Sequence, residues 1–370
     1  MRGFPELLLR LTLLCLGIAI GTGAVELFLR VSGPPKDVRE FRGLHVLRPD
    51  RPWLYGLRPG SEGTVNGPSG EIPYRINADG FRDRLYARPK PPGVYRVVVI
   101  GDSIAFGYGV EQEQGFTERL EALLAELAPE ARVEVLNMGI GGYNPYLEAA
   151  FLRDVGITYE PDLVIVQFCI NDLNDPTLHF DHHTRERLGA FPDAAYPDPS
   201  RRRVAFRAPS GMERLCRKSL VCSRFYEALL ARSARKFDLA EERASAVPVE
   251  FSIGPEWDWL ESLYVEMAAV SAQAGSRFAV LAFPHPGATT SPERAPVQER
   301  LAEMGREHGW TTLDPLPAFR QKAAVTRLFI DWWHPTPVAH EIAARSVLEQ
   351  LACAGLLPPE AKRLCPPQDR

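Results

Sequence analysis

The chain has 370 residues, an ordinary apolar fraction of 45% and a formal net charge of −4 at pH 7. This length accommodates one large domain or two small ones and is sufficient for a sizeable hydrophobic core. The slight acidic excess argues against a dedicated nucleic-acid-binding protein. The sequence has no internal repeat, and many of its 33 prolines fall in residues 34–93 and near the C-terminus, which predicts loop-rich regions there.

The N-terminal segment predicts a membrane anchor. Residues 11–29 are almost entirely apolar and long enough to span a bilayer. Arg2 and Arg10 precede them, as in the basic region of a signal sequence, and no small-x-small cleavage motif follows. We therefore expect an uncleaved signal anchor over residues 1–33 and a single-pass membrane protein, with a cleaved signal peptide as the alternative. Basic residues also follow the span, so the charge distribution does not favour a cytoplasmic N-terminus.

Four of the six cysteines form two pairs that are close in sequence, Cys216 with Cys222 and Cys353 with Cys365. Local disulfides would suit an exported domain, but spacing alone does not set connectivity, and four unpaired thiols remain the alternative. Together with the anchor, these pairs favour a main domain outside the cytoplasm, in the periplasm.

Residues 34–94 form a lead-in segment rich in proline and glycine. Residues 74–76 predict a short strand, and residues 77–80 predict a turn. We expect the lead-in segment to cover one edge or face of the main sheet. A role for Arg75 or Arg82 in substrate binding is a weaker alternative.

Strand-like and helical patterns alternate from residue 95 onward. Apolar runs predict strands at residues 97–100, 132–137, 162–170, 277–283 and 311–313, and apolar periodicity predicts helices at 115–128, 145–155, 255–274, 296–308 and 337–354. This alternation predicts an α/β domain over residues 95–357, with a parallel sheet and helices on both of its faces. Residues 358–370 are interpreted as a C-terminal tail.

Residues 173–254 interrupt the alternation after the third strand and are interpreted as a large insertion, a candidate substrate lid with one helical stretch near 212–237. The His-Phe-Asp-His-His run at 179–183 suggests a metal site, but a solvated polar loop is preferred because no fixed ligand geometry is evident. Arg201, Arg202, Arg203 and Arg207 could meet an anionic substrate or lipid headgroups, and a solvated basic loop is again preferred.

Polar residues follow the predicted strands at the sheet edge where ligands bind in open α/β folds. Ser103 follows the first strand and is a candidate nucleophile, although Gly-Asp-Ser alone is more often an ordinary turn. His334 could act as its base, and Asp331, three residues earlier, could orient that base. The backbone N–H groups of Ser103 and Gly142 and the side-chain amide of Asn171 could stabilise an oxyanion.

These residues together resemble the SGNH, or GDSL-type, hydrolase superfamily, whose invariant residues are Ser, Gly, Asn and His. The matching blocks are Gly-Asp-Ser at 101–103, residues 137–142, Asn171-Asp172 and Asp331-x-x-His334, in the family's order and rough spacing over residues 95–354 without the insertion. The span and the Gly-Phe-Arg at 80–82 resemble a membrane-anchored bacterial branch. Two departures are Cys169, where the family often has glycine, and the long gap before Asp331, which puts the substrate in doubt.

The resemblance implies a flavodoxin-like three-layer α/β/α sandwich with five parallel strands in the order 2-1-3-4-5. It also implies an esterase that forms an acyl-enzyme on Ser103, needs no cofactor or metal, and acts on an acylated glycan or a lipid-like ester. Ser103, Gly142, Asn171, Asp331 and His334 carry the family's roles, whereas His340, inside the last helix, is expected to be structural.

Three other functions remain open at this point. An O-acyltransferase would pass the same acyl group to a cell-surface glycan. A non-catalytic, membrane-tethered glycan-binding domain would be expected to lack at least one catalytic group. A metal-dependent hydrolase would use the histidines at 179–183. The sequence does not fix the acyl chain, the alcohol or the oligomeric state.

Overall fold

The computed structural model describes residues 12–13, 17, 21–25, 44–48, 50–67, 70–173, 255–290, 296–331 and 333–366. Contacts divide the chain into two units, Met1–Arg39 with Pro192–Glu250 and Glu40–Phe191 with Phe251–Arg370, and the second unit contains the elements below. Most of the predicted anchor lies outside the described residues, as do residues 174–254 of the predicted insertion, with their histidine run, arginine cluster and Cys216–Cys222 pair. Within the described ranges, no helix has the length and apolar character that a membrane span requires.

The lead-in segment contains two antiparallel hairpins, not the single short strand predicted. Strand β1 (His45–Leu47) pairs with β2 (Tyr55–Leu57), and β3 (Glu62–Gly67) pairs with β4 (Gly70–Arg75). Three-residue strands and strands that contain glycine and proline carry too little β-propensity to be recognised from sequence. The predicted turn is present: the Asn77 side-chain oxygen accepts hydrogen bonds from the backbone N–H groups of Asp79 and Phe81, at 2.9 and 3.0 Å.

The main sheet has five parallel strands in the order β6-β5-β7-β8-β9, which confirms the predicted 2-1-3-4-5 order. The strands are β5 (Tyr95–Gly101), β6 (Val133–Gly139), β7 (Leu163–Phe168), β8 (Arg277–Ala282) and β9 (Thr311–Leu313). The run of β-branched residues at 97–100 is fully buried. Strands that are covered on both faces need such continuous apolar runs, because alternate side chains point to opposite faces.

Eight α-helices lie in the described ranges from residue 103 onward. They are α1 (Ser103–Phe106), α2 (Phe116–Leu127), α3 (Pro145–Asp154), α4 (Pro255–Gln273), α5 (Pro286–Thr290), α6 (Pro296–His308), α7 (Leu316–Ala323) and α8 (Pro337–Cys353). The five predicted helices are present within about two residues at each end. Helices α1, α5 and α7 are new, because four to eight residues are too few to display helical periodicity. Ser103 therefore begins a short helix, where the sequence predicted a loop.

Helices cover both faces of the sheet. Val97 and Val99 belong to an apolar cluster that includes side chains of α2, α7 and α8. Their neighbours Val98 and Ile100 point to the other face and lie near Gly156, just after α3. Helix α3 packs against α4 on that face. This three-layer arrangement brings the carboxyl ends of the parallel strands to one edge.

The C-terminal residues pack back onto the domain. Pro359–Leu364 forms a 3₁₀ turn that contacts α8 and α2, and Arg363 donates a hydrogen bond to the Leu127 carbonyl at 2.9 Å. A disulfide joins Cys353, the last residue of α8, to Cys365. Of the two alternatives that the sequence leaves open for these cysteines, the structure has the disulfide.

Candidate active site

A tight strand-to-helix transition presents the Ser103 hydroxyl. Strand β5 ends at Gly101, where an added Cβ would lie 2.6 Å from the side-chain oxygen of Gln167. Asp102 then caps α1 by accepting a hydrogen bond from the Ile104 N–H at 2.8 Å. The Gln167 oxygen also accepts from the Ala105 N–H at 3.1 Å, so side chains from two strand ends fix the first turn of α1. Ser103 follows the cap directly and is partly exposed.

Asp331 and His334 lie in one turn that is closed by its own hydrogen bonds. Asp331 Oδ1 accepts from the backbone N–H groups of Trp333 and His334, both at 2.8 Å. Asp331 Oδ2 lies 2.8 Å from His334 Nδ1, and His334 Nε2 lies 2.9 Å from Ser103 Oγ. A proton on Nδ1 donates to the carboxylate and leaves Nε2 as the acceptor for the serine hydroxyl.

The charge of Asp331 suits this arrangement. Burial of this half-exposed carboxyl acts to raise its pKa, but the hydrogen bond and positive charge of His334 and the two backbone donors outweigh that effect and lower the pKa of Asp331 to about 2. The carboxylate is therefore ionised at neutral pH and can stabilise a protonated imidazole.

Gly142 lies in the turn after β6 with a φ of 81°, in the left-handed region, and is solvent-exposed. Strand β6 ends tightly against α1, because an added Cβ on Gly139 would lie 2.3 Å from the Phe106 backbone nitrogen. On its other side the turn is held by the lead-in segment. The Tyr55 hydroxyl donates to the Gly141 carbonyl at 3.3 Å, and the Tyr143 hydroxyl donates to the Tyr55 carbonyl.

Asn171 lies in a 3₁₀ turn, Ile170–Leu173, that follows β7. Its side-chain Nδ2 donates to Asp102 Oδ2 at 3.2 Å, which connects the turn after β7 to the residue that follows β5. Asp172 closes the same turn by accepting from the Cys169 N–H at 2.8 Å. Cys169 is buried in the apolar cluster, and burial raises the pKa of its thiol well above the ordinary value, so this departure from the family pattern provides no reactive group.

The side chains that support this site are absent from the predictions made from sequence. Asp102 and Gln167 hold α1, and the Tyr108 ring packs against the His334 ring with 4.3 Å between centroids. Only Asp102 has a local signal, as an aspartate placed directly before a helix start. Gln167 and Tyr108 depend on long-range packing, which a sequence pattern does not reveal.

Two arginines considered for substrate binding lie elsewhere. Arg82 is only 2% exposed and donates to backbone carbonyls, so it does not face a substrate. Arg75 is exposed and pairs with Glu62 at 3.5 Å within the β3–β4 hairpin.

His340 is fully buried, and its Nδ1 accepts from the Phe116 N–H at 3.1 Å. The pKa of His340 is lowered to about 3. Burial is the largest cause, and the charges of Arg82 and His334 act in the same direction. A neutral, buried histidine that accepts a backbone hydrogen bond is consistent with the expected structural role.

The described residues contain one group with suitable donors for a metal ion, Glu261, Glu307 and His308. Arg300 ion-pairs with Glu261 at 2.8 Å and with Glu307 at 3.5 Å, while His308 lies 2.6 Å from Glu261. The Arg300 guanidinium already lies among these carboxylates, so we interpret the group as an ion-pair network between α4 and α6.

A family model described as the GDSL-like Lipase/Acylhydrolase family matches residues 99–342. Among solved structures, LAE5, an alpha/beta hydrolase enzyme from the metagenome of Lake Arreo, Spain, is 19% identical, with a TM-score of 0.43 over 70% of this chain and 95% of that one. Axe2, an acetylxylan esterase from Geobacillus stearothermophilus, is 17% identical, with a TM-score of 0.40 over 70% and 94%. Both TM-scores are below 0.5, so these two likenesses support no argument below. No curated protein matches the chain.

Proposed function

Because this chain belongs to the GDSL-like lipase/acylhydrolase family and is a serine hydrolase acting on ester bonds, we propose that it cleaves its substrate through an acyl-enzyme on Ser103. His334 is the general base and acid, and Asp331 orients it. The backbone N–H groups of Ser103 and Gly142 and the Asn171 side chain bind the oxyanion.

In the acylation step, Ser103 Oγ attacks the ester carbonyl carbon while its proton moves to His334 Nε2. The new positive charge on the imidazole is stabilised by the Asp331 carboxylate at Nδ1. Negative charge develops on the former carbonyl oxygen, where three N–H donors reach it. The tetrahedral intermediate then collapses, the ester C–O bond breaks, and His334 returns the proton to the departing alcohol.

In the deacylation step, water replaces the alcohol. His334 Nε2 accepts a proton from the water, the hydroxide oxygen attacks the acyl carbon, and the same oxyanion donors act again. Collapse of the second intermediate breaks the bond to Ser103 Oγ, which recovers its proton from His334. The products are the carboxylic acid and the alcohol, and the enzyme returns to its starting state.

The observation that carries this proposal is a pair of hydrogen-bond distances. Ser103 Oγ lies 2.9 Å from His334 Nε2, and His334 Nδ1 lies 2.8 Å from Asp331 Oδ2. Ser103 and His334 are separated by 231 residues along the chain, so chance proximity is a poor explanation. A non-catalytic glycan-binding domain would be expected to lack at least one of the five groups, whereas this sequence has the required residue type at all five positions.

The test is labelling and turnover of the purified full chain. A serine-reactive phosphonate probe should label the wild-type chain, and Ser103→Ala should abolish both labelling and hydrolysis of an activated aryl ester. Ser262→Ala is the matched control, because Ser262 is exposed on α4 and donates only to the Trp259 carbonyl at 2.7 Å. Full activity of Ser103→Ala would refute the mechanism. Adding a glycan acceptor and analysing the products distinguishes hydrolysis from acyl transfer.

We also propose that the catalytic domain is held at a membrane by residues 11–29 and lies outside the cytoplasm. The apolar stretch supports the anchor, and the Cys353–Cys365 disulfide favours an oxidising compartment. An acylated glycan or a lipid-like ester remains the expected substrate class for an enzyme in that place.

A further inference from the structure

Arg82 is a buried cation whose hydrogen bonds go to backbone carbonyls. Its Nη1 donates to the Phe106 and Gly107 carbonyls at 3.1 and 2.5 Å, and its Nη2 donates to the Val110 carbonyl at 2.7 Å. The guanidinium lies 3.9 Å from the centre of the Tyr74 ring. The planar fork of arginine can satisfy three such acceptors in fixed directions, which the single ammonium group of lysine cannot do.

The acceptors of Arg82 all belong to the loop that follows the nucleophile helix, residues 106–110. Gly107 has a φ of 77°, and a Cβ there would lie 3.0 Å from Arg82 Nη1, so the close approach of the guanidinium requires glycine. The Tyr74 hydroxyl accepts from the Gly109 N–H at 2.7 Å. The lead-in segment therefore fixes both ends of this loop.

The same loop contacts the turn that holds the acid and the base. The Tyr108 ring packs on the His334 ring at 4.3 Å with an interplanar angle of 39°. A Cβ on Gly109 would lie 2.8 Å from Ile330 Cδ1, and Ile330 directly precedes Asp331. A displacement of the loop would therefore shift the Tyr108 ring and, with it, the His334 ring. The distance from His334 to Ser103, on which proton transfer depends, would then change.

We propose that Arg82 is a positioning residue that holds the 106–110 loop so that Tyr108 keeps His334 Nε2 aligned with Ser103 Oγ. The proposal rests on the proposed function, because it assigns Arg82 an effect on catalysis through His334. Arg82 itself contacts neither substrate nor reacting atoms.

The experiment compares Arg82→Met and Arg82→Lys with Arg84→Met in the purified full chain. Arg84 is the matched control, because it is an exposed arginine of the same segment that pairs with Glu121 at 2.8 Å. Both Arg82 variants should lower kcat on an activated ester by about tenfold to a hundredfold, the scale for misplaced catalytic groups, with KM nearly unchanged. Arg84→Met should keep wild-type kcat.

A double-mutant cycle tests the route through Tyr108. Tyr108→Leu should lower kcat by itself, and adding it to Arg82→Met should cause little further loss, because both changes remove the same contact. Multiplicative losses would mean that Arg82 does not act through Tyr108 and would overturn the proposal.

A histidine NMR signal separates this proposal from the proposed function. The carbon-bound imidazole protons of His334, assigned by their loss in His334→Gln, should carry a ring-current shift from Tyr108. That shift should decrease in Arg82→Met and Tyr108→Leu and persist in Arg84→Met, whether or not the protein turns over any ester. An unchanged shift together with wild-type kcat in Arg82→Met would refute the positioning role.

If Arg82→Met yields no folded protein, Tyr74→Phe decides the question, because it removes only the hydroxyl that accepts from the Gly109 N–H. A severalfold loss of kcat with an altered His334 shift would support the proposal. Wild-type values of both would overturn it.

Discussion

Asp331 keeps its negative charge over the pH range in which an imidazole base can work. Its folded-state pKa of about 2 is lower than the unfolded value of about 3.9, so the stability it contributes is present above pH 4 and is lost as the pH falls through 2. A decrease in turnover at mildly acidic pH therefore cannot arise from protonation of this carboxyl. Its hydrogen bonds to the Trp333 and His334 N–H groups also make it a structural part of the turn.

The two histidines near the site should respond to substitution in opposite ways. His334→Ala removes the base and should lower kcat by about 10⁵–10⁶-fold with little change in melting temperature, whereas Asp331→Asn should cause a smaller loss of about 10²–10⁴-fold. His340→Asn keeps an acceptor for the Phe116 N–H and should retain most of the turnover per folded molecule. Loss of turnover in folded His340→Asn would reassign the base.

His340 also gives the fold a pH dependence. Its folded-state pKa of about 3 is lower than the unfolded value of about 6.5, so the unfolded chain binds more protons between these limits. Stability should therefore fall as the pH decreases from 6.5 towards 3, by up to about 1.4 kcal/mol per pH unit for one proton. Urea unfolding at pH 7 and pH 5 should show a smaller decrease for His340→Asn than for the wild-type chain; equal decreases would contradict the assignment.

Asn171 is expected to act when negative charge develops on the substrate oxygen. Asn171→Ala should bind substrate with nearly unchanged affinity and turn it over about a hundred- to a thousandfold more slowly. Asn171→Asp should be at least as poor, because a carboxylate repels the oxyanion. Calorimetry and kcat on the same sample separate this role from a purely structural one through the Asp102 hydrogen bond, which predicts a lower melting temperature with near-normal turnover per folded molecule.

At the scale of elements, the turn after β6 combines a left-handed backbone conformation at Gly142 with a proposed catalytic role for that residue. Gly142 and Gly275, which follows α4, have φ values of 81° and 77°, and a Cβ on Gly275 would meet no atom within 4 Å. Gly142→Ala and Gly275→Ala should each cost about 1–2 kcal/mol of stability from backbone strain, and at Gly142 the added Cβ would also lie 3.1 Å from the Tyr55 hydroxyl. Only Gly142→Ala should also lower kcat, because its backbone N–H is one of the proposed oxyanion donors; equal kcat in both variants would remove Gly142 from that role.

The elements that could be predicted are those whose evidence is local. The apolar run at 97–100 and the helical periodicity of α2 and α8 identify buried strands and amphipathic helices, and parallel strands then bring Ser103 and Asn171 to one edge. The four-residue helix α1 and the hairpins of the lead-in segment have no comparable periodicity. Tyr108 and Arg82 act through contacts with residues far away in the sequence, so no local pattern marks their roles.

At the scale of the whole molecule, the disulfide fastens the C-terminal turn to α8. It closes a loop of 12 residues, and a loop of this size is associated with about 3 kcal/mol of stabilisation. Cys353→Ser, or reduction of the wild-type chain, should lower the free energy of unfolding by about that amount in urea titrations. Kinetic constants at a temperature where the protein is folded should not change, because neither cysteine belongs to the active site. Unaltered stability after verified reduction would contradict this expectation.

The membrane topology can be examined in cells. A reporter fused after Arg370 that functions only outside the cytoplasm should be active, and deletion of residues 11–29 should abolish its activity. In the same cells, thiol alkylation should modify Cys353 and Cys365 only after reduction. Activity of a second reporter, fused at the same position and functional only in the cytoplasm, would contradict the proposed location.

The turn from Asp331 to His334 gives the acid and the base no independent movement. Hydrogen bonds within the turn, together with the 2.7 Å bond from the Ile330 N–H to the His334 carbonyl, hold its residues in fixed positions relative to one another. Among the serine, histidine and aspartate, only the distance from His334 to Ser103 remains for the rest of the fold to maintain. The segment between the Asn171 turn and α4 supplies none of these groups and can therefore change in length and composition, which lets substrate choice evolve separately from chemistry.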